Sequence, residues 1–179
     1  MKRSEFLKRK ISSYLAKEQL LKKQEYAKLE KPFLAKARKN FTVANLLFKI
    51  TEQEELRKSL NLASDFDMYD WVIIASYYAM YTSALAALAK LGFRSKSHAA
   101  TTAALEYHYV HKKKMEGKHV DKLSRAYALS EKLITKLIET KTRRETAQYD
   151  ATPSISRENA KSALENADEF ITKVEEILG

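Results

Sequence analysis

The chain has no cysteine, and only three glycines and two prolines among its 179 residues. Without cysteine there is no disulfide, no zinc–thiolate centre and no thiol nucleophile. With so few glycines and prolines, regular structure is interrupted in few places. No stretch alternates β-branched and polar residues, so strands are not expected. One stretch, 71–89, is long, apolar and free of charge. A membrane span needs about 20 such residues. Ser76, Thr82, Ser83 and the tyrosines lower its hydrophobicity, and no second such stretch exists, so it reads as the central helix of a bundle. The N-terminus has no apolar signal core and no small-residue cleavage site, so a cytoplasmic protein without a transmembrane segment is expected.

What is present is helix-forming and basic. Ala, Leu, Lys and Glu dominate, and the net charge is +10. The charge is unevenly placed. Residues 1–40 hold 13 Lys+Arg against 4 Glu, and residues 41–179 hold 20 against 19 acidic residues. Within that remainder, 112–144 carries 11 basic and 4 acidic side chains, whereas 145–179 carries 3 and 8. The main domain is thus nearly neutral but polarised, with a basic segment preceding it.

The pattern predicts an all-α antiparallel bundle at 32–179 preceded by a basic amphipathic helix within 1–31, itself helical over about 3–30. Pro32 suits the first turn of a helix over 32–49, whose apolar stripe includes Phe33, Leu34, Ala37, Phe41, Ala44, Leu47 and Phe48. A short acidic helix is expected at 52–62. Asp65 or Asp67 is a candidate cap for the apolar helix at 67–91, which Gly92 ends. Ser97 caps a helix over 98–115, Gly117 breaks it, and another helix runs over about 120–146. Pro153 and Ser154–Ser156 form a loop, and Ser156-Arg157-Glu158-Asn159 begins a last helix to about 178.

Several blocks recur in a set order: Tyr77-Tyr78-Ala79-Met80-Tyr81, then Leu91-Gly92-Phe93 leading to Ser97-His98, then Arg144, Ala147, Tyr149 and Asp150, then an Ala- and Glu-rich closing helix. In this order and spacing the chain resembles the HEPN domain family, the small helical nucleotide- and RNA-binding domains, over roughly 33–178. The resemblance implies an antiparallel bundle that commonly forms a homodimer. It also implies nucleotide or RNA as ligand, and for many relatives a minimal nucleotidyltransferase partner in a toxin–antitoxin pair. No cofactor is implied, because active relatives are metal-independent ribonucleases. Their signature is an Arg and a polar residue followed after a short gap by a His. Here Arg144 and Glu145 fit its start, but Tyr149 stands where the His belongs, and His119 is the last histidine in the chain. A neutral imidazole can take a proton from a ribose hydroxyl near neutral pH, whereas a tyrosine titrating near 10 cannot do so efficiently. The expected function is therefore RNA or nucleotide binding without strong catalysis. The alternatives are a ribonuclease toxin using Arg144 with Tyr149 or His98, and a structural scaffold.

The candidate binding residues are Arg143 and Arg144, as bidentate phosphate clamps, and Tyr149, as a base-stacking or hydroxyl-donating group. A second basic zone, Lys112, Lys113, Lys114, Lys118, Lys122 and Arg125, reads either as a solvated helix turn or as a phosphate-tracking patch. His98, near a helix start, reads as a cap or a cross-bundle hydrogen-bonding group in place of a catalytic base. His108 and His111 share a helix face, but no third ligand follows at metal spacing, so no metal is expected. The tyrosines at 77, 78 and 81 read as core and interface packing, with nucleotide stacking as the other reading. The N-terminal segment has Phe6, Leu7, Ile11, Tyr14, Leu15 and Leu21 on a rough stripe. It reads as an RNA-binding arm, a docking helix for a partner or second protomer, or a membrane-surface helix. Docking is preferred because the stripe would otherwise lie exposed.

Overall fold

The computed structural model describes residues 3–144 and 155–179, with side chains described outside 136–144. In chain order the elements are α1 (Arg3–Ala16), β1 (Leu20–Lys22), a 3-10 turn (Gln24–Leu29), α2 (Glu30–Glu52), α3 (Glu54–Ser59), α4 (Tyr69–Lys90), β2 (Phe93–Ser95), α5 (His98–Leu105), a π-helical segment (Glu106–Val110), α6 (Gly117–Arg144) and α7 (Arg157–Leu178). The all-α bundle is as expected.

The charge-free helix α4 is the axis of the bundle. It packs most extensively against α2, then against α7 and α6. Ala79 and Ala86 on α4, and Ala37 and Ala44 on α2, are wholly buried, and such small side chains let helix axes approach closely. By length and composition α4 is the single described helix that could cross a membrane, but 78% of its apolar window is buried inside the bundle. Ion pairs tie the outer helices together. Arg38 on α2 holds Glu175 on α7 and lies 3.6 Å from Asp168. Glu52 accepts from Arg157 at 2.5 Å and from the Tyr69 hydroxyl at 2.7 Å.

The local signals held at two caps. Ser97 Oγ accepts from the Ala100 N–H and Ser156 Oγ from the Asn159 N–H. Gly92, with φ of 77°, follows α4 in the left-handed conformation expected of a terminating glycine. Other expectations need correction. Neither Asp65 nor Asp67 caps α4; Met68 holds that position without a side-chain bond, and Asp70 Oδ1 accepts from the Trp71 N–H. Gly117 begins α6 rather than separating two elements. The helix expected over 98–115 gives way after Leu105 to a π-helical turn, in which the Tyr109 hydroxyl donates to the Ala87 carbonyl at 2.5 Å.

The largest correction concerns the N-terminus. The first helix ends at Ala16, Glu18 adopts φ of 52°, and the chain turns into β1. There Leu20 pairs with Ser95, Leu21 with Arg94 and Lys22 with Phe93 in an antiparallel ribbon. Burial of Leu20 and Phe93 outweighs the helix propensity of this segment. The apolar stripe of α1 is not left open for a partner either. Leu7 and Ile11 are buried, and α1 packs against α5 of its own chain.

Candidate nucleic-acid interface

His98 occupies the first turn of α5, placed there by the Ser97 cap. Its ring stacks on Tyr127 of α6 with centroids 4.1 Å apart and planes 11° apart. Tyr77 and Tyr81 of α4 each lie 6.2 Å from the same ring. Its Nδ1 is enclosed and has no hydrogen-bond partner among the described residues. Burial depresses its pKa to about 4, so the imidazole is neutral at physiological pH. Burial also raises the Tyr77 phenol, and Tyr127 is raised by burial and by Glu131. The cluster of His98 with three tyrosines therefore carries no charge near neutrality and seams α4, α5 and α6 together.

Helix α6 fixes the spacing of the other candidates. At 1.5 Å per residue, Arg144 lies about 25 Å along the axis from Tyr127, against which His98 stacks. A single chain thus does not bring His98 to Arg144. The same rise puts Arg143 and Arg144 about 28 Å from Arg125, near the opposite end of the helix from the lysines. The side chains of Arg143 and Arg144, and all of Tyr149, lie outside the described residues.

The second basic zone divides by its surroundings. Lys112, Lys113 and Lys114 are exposed in the turn leading from the π-helical segment to α6, as is Arg125 on α6. Lys118 pairs with Glu116 at 3.1 Å, and Lys122 donates to Glu169 on α7. That hydrogen bond holds the Glu169 carboxyl below the usual range. Beside it the buried His119 has Nδ1 3.6 Å from Glu169, and burial lowers its pKa against the opposing pull of that carboxylate. Glu116 and the acidic closing helix thus offset Lys118 and Lys122, whereas Lys112–Lys114 and Arg125 have no carboxylate partner among the described residues.

His108 and His111 do not converge on a common point. His108 packs on Phe93 at 4.9 Å with its Nε2 enclosed, and burial, then Lys112 and Lys22, lower its pKa. His111 stacks on Tyr107 at 6.2 Å. No group of three His, Asp or Glu suited to a metal is found among the described residues. Sequence reasoning missed the role of Tyr127, whose helical spacing alone marks it as one more core aromatic. It also missed the cations of the β1–β2 ribbon, whose only advance signals are the Leu20-Leu21 pair and Gly92-Phe93.

An antiparallel bundle around one charge-free helix, with an exposed lysine turn and a neutral histidine–tyrosine seam, defines an all-α helical domain. The family model of the HEPN domain matches residues 49–177, and the chain belongs to that family. Membership carries a nucleotide- or RNA-related function in general terms. A search of curated proteins found no match.

Proposed function

We propose that this protein binds RNA or a nucleotide without strong catalysis, as a cytoplasmic homodimer. A minimal nucleotidyltransferase, in a toxin–antitoxin-like pair, is the protein partner that the family resemblance suggests. The observation that carries the binding reading is the exposed Lys112–Lys114 turn, which has no ion-pair partner among the described residues and sits in a HEPN-family chain whose net charge is +10. Tyr149 in the place of the family histidine supports weak or absent catalysis, as does the distance of about 25 Å along α6 between His98 and Arg144. Dimerisation is supported by exposed apolar side chains on α2 and α4, notably Val43, Leu46, Trp71 and Tyr78. An antiparallel dimer would also bring opposite ends of α6 together, so that Arg143, Arg144 and Tyr149 could share a cleft with part of 112–125.

The test is incubation with labelled transfer RNA in EDTA at low and high salt, followed on native and denaturing gels. Salt-sensitive retardation of intact RNA, weakened in Arg144→Ala with the fold retained, is expected. RNA fragments that disappear in Arg144→Ala would replace this reading with a metal-independent ribonuclease. Neither retardation nor cleavage would shift the function to protein partners.

A further inference from the structure

The ribbon that was not legible in the sequence places cations from distant segments at one end of the bundle. Lys22 pairs with Phe93 across the ribbon, and its Nζ stands 5.3 Å from the Phe93 ring centroid. His108 lies against the same phenyl ring at 4.9 Å, and Lys112 follows one turn later. Both Lys22 and Lys112 act electrostatically on His108, so both ammonium groups lie near the Phe93–His108 pair. Arg94, paired with Leu21 on the other face of the ribbon, and Lys96, just past it, are also exposed. Lysine and arginine stems are long and flexible, so charged heads rooted on either face of a two-stranded ribbon can turn to a ligand lying along its edge. None of Lys22, Arg94, Lys96, Lys112, Lys113 and Lys114 makes an ion pair among the described residues, whereas Lys23, Lys118 and Lys122 each have a carboxylate partner.

Aromatic surface interleaves with this charge. Tyr107 is half-buried and His111 exposed, and their rings stack at 6.2 Å with planes 22° apart. Both positions follow from the π-helical turn, closed by the His111 N–H donating to the Glu106 carbonyl at 2.8 Å. Such turns recur at functional sites because the extra residue re-aims the side chains around it.

We propose that the β1–β2 ribbon and the Lys112–Lys114 turn form one surface that tracks the phosphates of single-stranded RNA, with the Tyr107–His111 pair as its base-stacking platform. Cations beside an exposed aromatic pair, here joined through the His108 ring 5.0 Å from Tyr107, are the arrangement that unpaired nucleotides recognise, since every base has a face to stack and every linkage a charge. The assignment rests on the RNA-binding reading above and adds a component to it. Strand β1 precedes residue 49, where the family match begins, so the N-terminal segment supplies part of the site.

The test is fluorescence anisotropy of a short labelled oligouridylate across a salt series. It compares the full chain, Lys22→Gln/Arg94→Gln, the charge-matched control Lys8→Gln/Arg9→Gln on the exposed face of α1, and Arg143→Ala/Arg144→Ala. All four altered positions in the two glutamine variants are exposed, so their melting temperatures should match that of the parent. Two lost phosphate contacts should lower the slope of log affinity against log salt by about 1.4 and weaken binding about 20-fold near 0.1 M salt. The control should lose less than about 3-fold. Equal losses in the ribbon variant and the control would reduce the surface to diffuse charge and overturn the proposal. Parental affinity in the ribbon variant, with binding abolished in Arg143→Ala/Arg144→Ala, would overturn this surface while leaving the RNA-binding function standing. Absence of binding by the parent chain at low salt would remove both.

Discussion

Acid should destabilise this protein through His98, and the amount can be worked from the geometry. The ring is stacked within 4.1 Å of Tyr127, its Nδ1 is enclosed without a partner among the described residues, and its folded pKa is depressed to about 4. In an unfolded chain the imidazole titrates near 6.5. Above that pH it is neutral in both states and contributes no pH dependence. Between about 6.5 and 4 the unfolded chain binds a proton that the folded chain does not, so stability falls as pH falls. Below about 4 both states are protonated and the loss stops growing. The full shift corresponds to about 3 kcal/mol. An imidazolium stacked on tyrosine faces recovers about 1 kcal/mol of that, because the ring quadrupole attracts a cation.

The net loss is therefore about 2 kcal/mol, a large share of the stability of a single domain. His108 and His119 are also held below the ordinary histidine value by burial, so acid sensitivity of the parent alone would not isolate His98. Comparison with His98→Phe does. Urea unfolding at about pH 7.5 and about pH 4.5 should show a drop in stability that is smaller in the variant by about 2 kcal/mol. Equal drops in the two proteins would mean that the ring titrates as in water, and the closed histidine–tyrosine seam would be refuted.

Gly92→Ala should destabilise by at least about 1 kcal/mol, because φ of 77° is costly for an L side chain and the new Cβ would stand 3.1 Å from the Lys23 carbonyl oxygen. The melting temperature should fall by about 2–6 °C, with proteolysis advancing first into the N-terminal segment; an unchanged melting temperature would contradict the close approach of the Lys23 and Gly92 backbones. Tyr109→Phe removes the 2.5 Å bond to the Ala87 carbonyl and should cost about 1 kcal/mol, read as a fall of about 2–4 °C. The Tyr109 phenol is pushed up to about 12, mainly by burial, so ultraviolet difference titration should count the same number of tyrosines ionising near 10 in Tyr109→Phe as in the parent.

The parts of the fold that could be read from the sequence are those set by neighbours along the chain. Ser97 and Ser156 announced their helices because a hydroxyl three residues before a free N–H is a local device. The absence of charge over 71–89 marked α4 as the axis because no helix exposed along its whole length keeps such a composition. The ribbon could not be read, since three-residue strands are too short for alternation to register and each is specified by a partner far off in sequence. The end of α1 was missed for the same reason: Lys17 to Lys22 is good helical sequence until Leu20 is given a buried strand to pair with. At the site, the lysines at 112–114 were visible as a run, but Lys22 and Arg94 look like ordinary surface charge until the ribbon is drawn.

The same logic explains why a count of charges along the chain does not show which cations stay free after folding. By sequence, the basic excess belongs to residues 1–40 and to 112–144. Folding redistributes it. Helix α7, with its acidic surplus, lies beside the start of α6 and beside α2, and its Glu169 and Glu175 take up Lys122 and Arg38. The Arg3 guanidinium is taken up by Glu106, so the first turn of α1 is pinned to the π-helical segment and is not offered outward. Half-exposed pairs of this kind add little stability, about 0–1 kcal/mol each, but each one removes a cation from the field felt by a polyanion. The ribbon and the 112–114 turn are among the places where cations keep no carboxylate partner among the described residues, as are Arg125 and the exposed face of α1. What sets the ribbon end apart is therefore not bare charge alone but charge beside the Phe93, His108 and Tyr107 rings. The Lys122–Glu169 pair also makes α7 a tuning element: Glu169→Gln would free Lys122, and RNA affinity should rise by a few-fold with a salt slope steeper by about 0.7, measured by the same anisotropy series. A loss of affinity in that variant would show that the pairing with α7 positions the site and does not merely mask its charge.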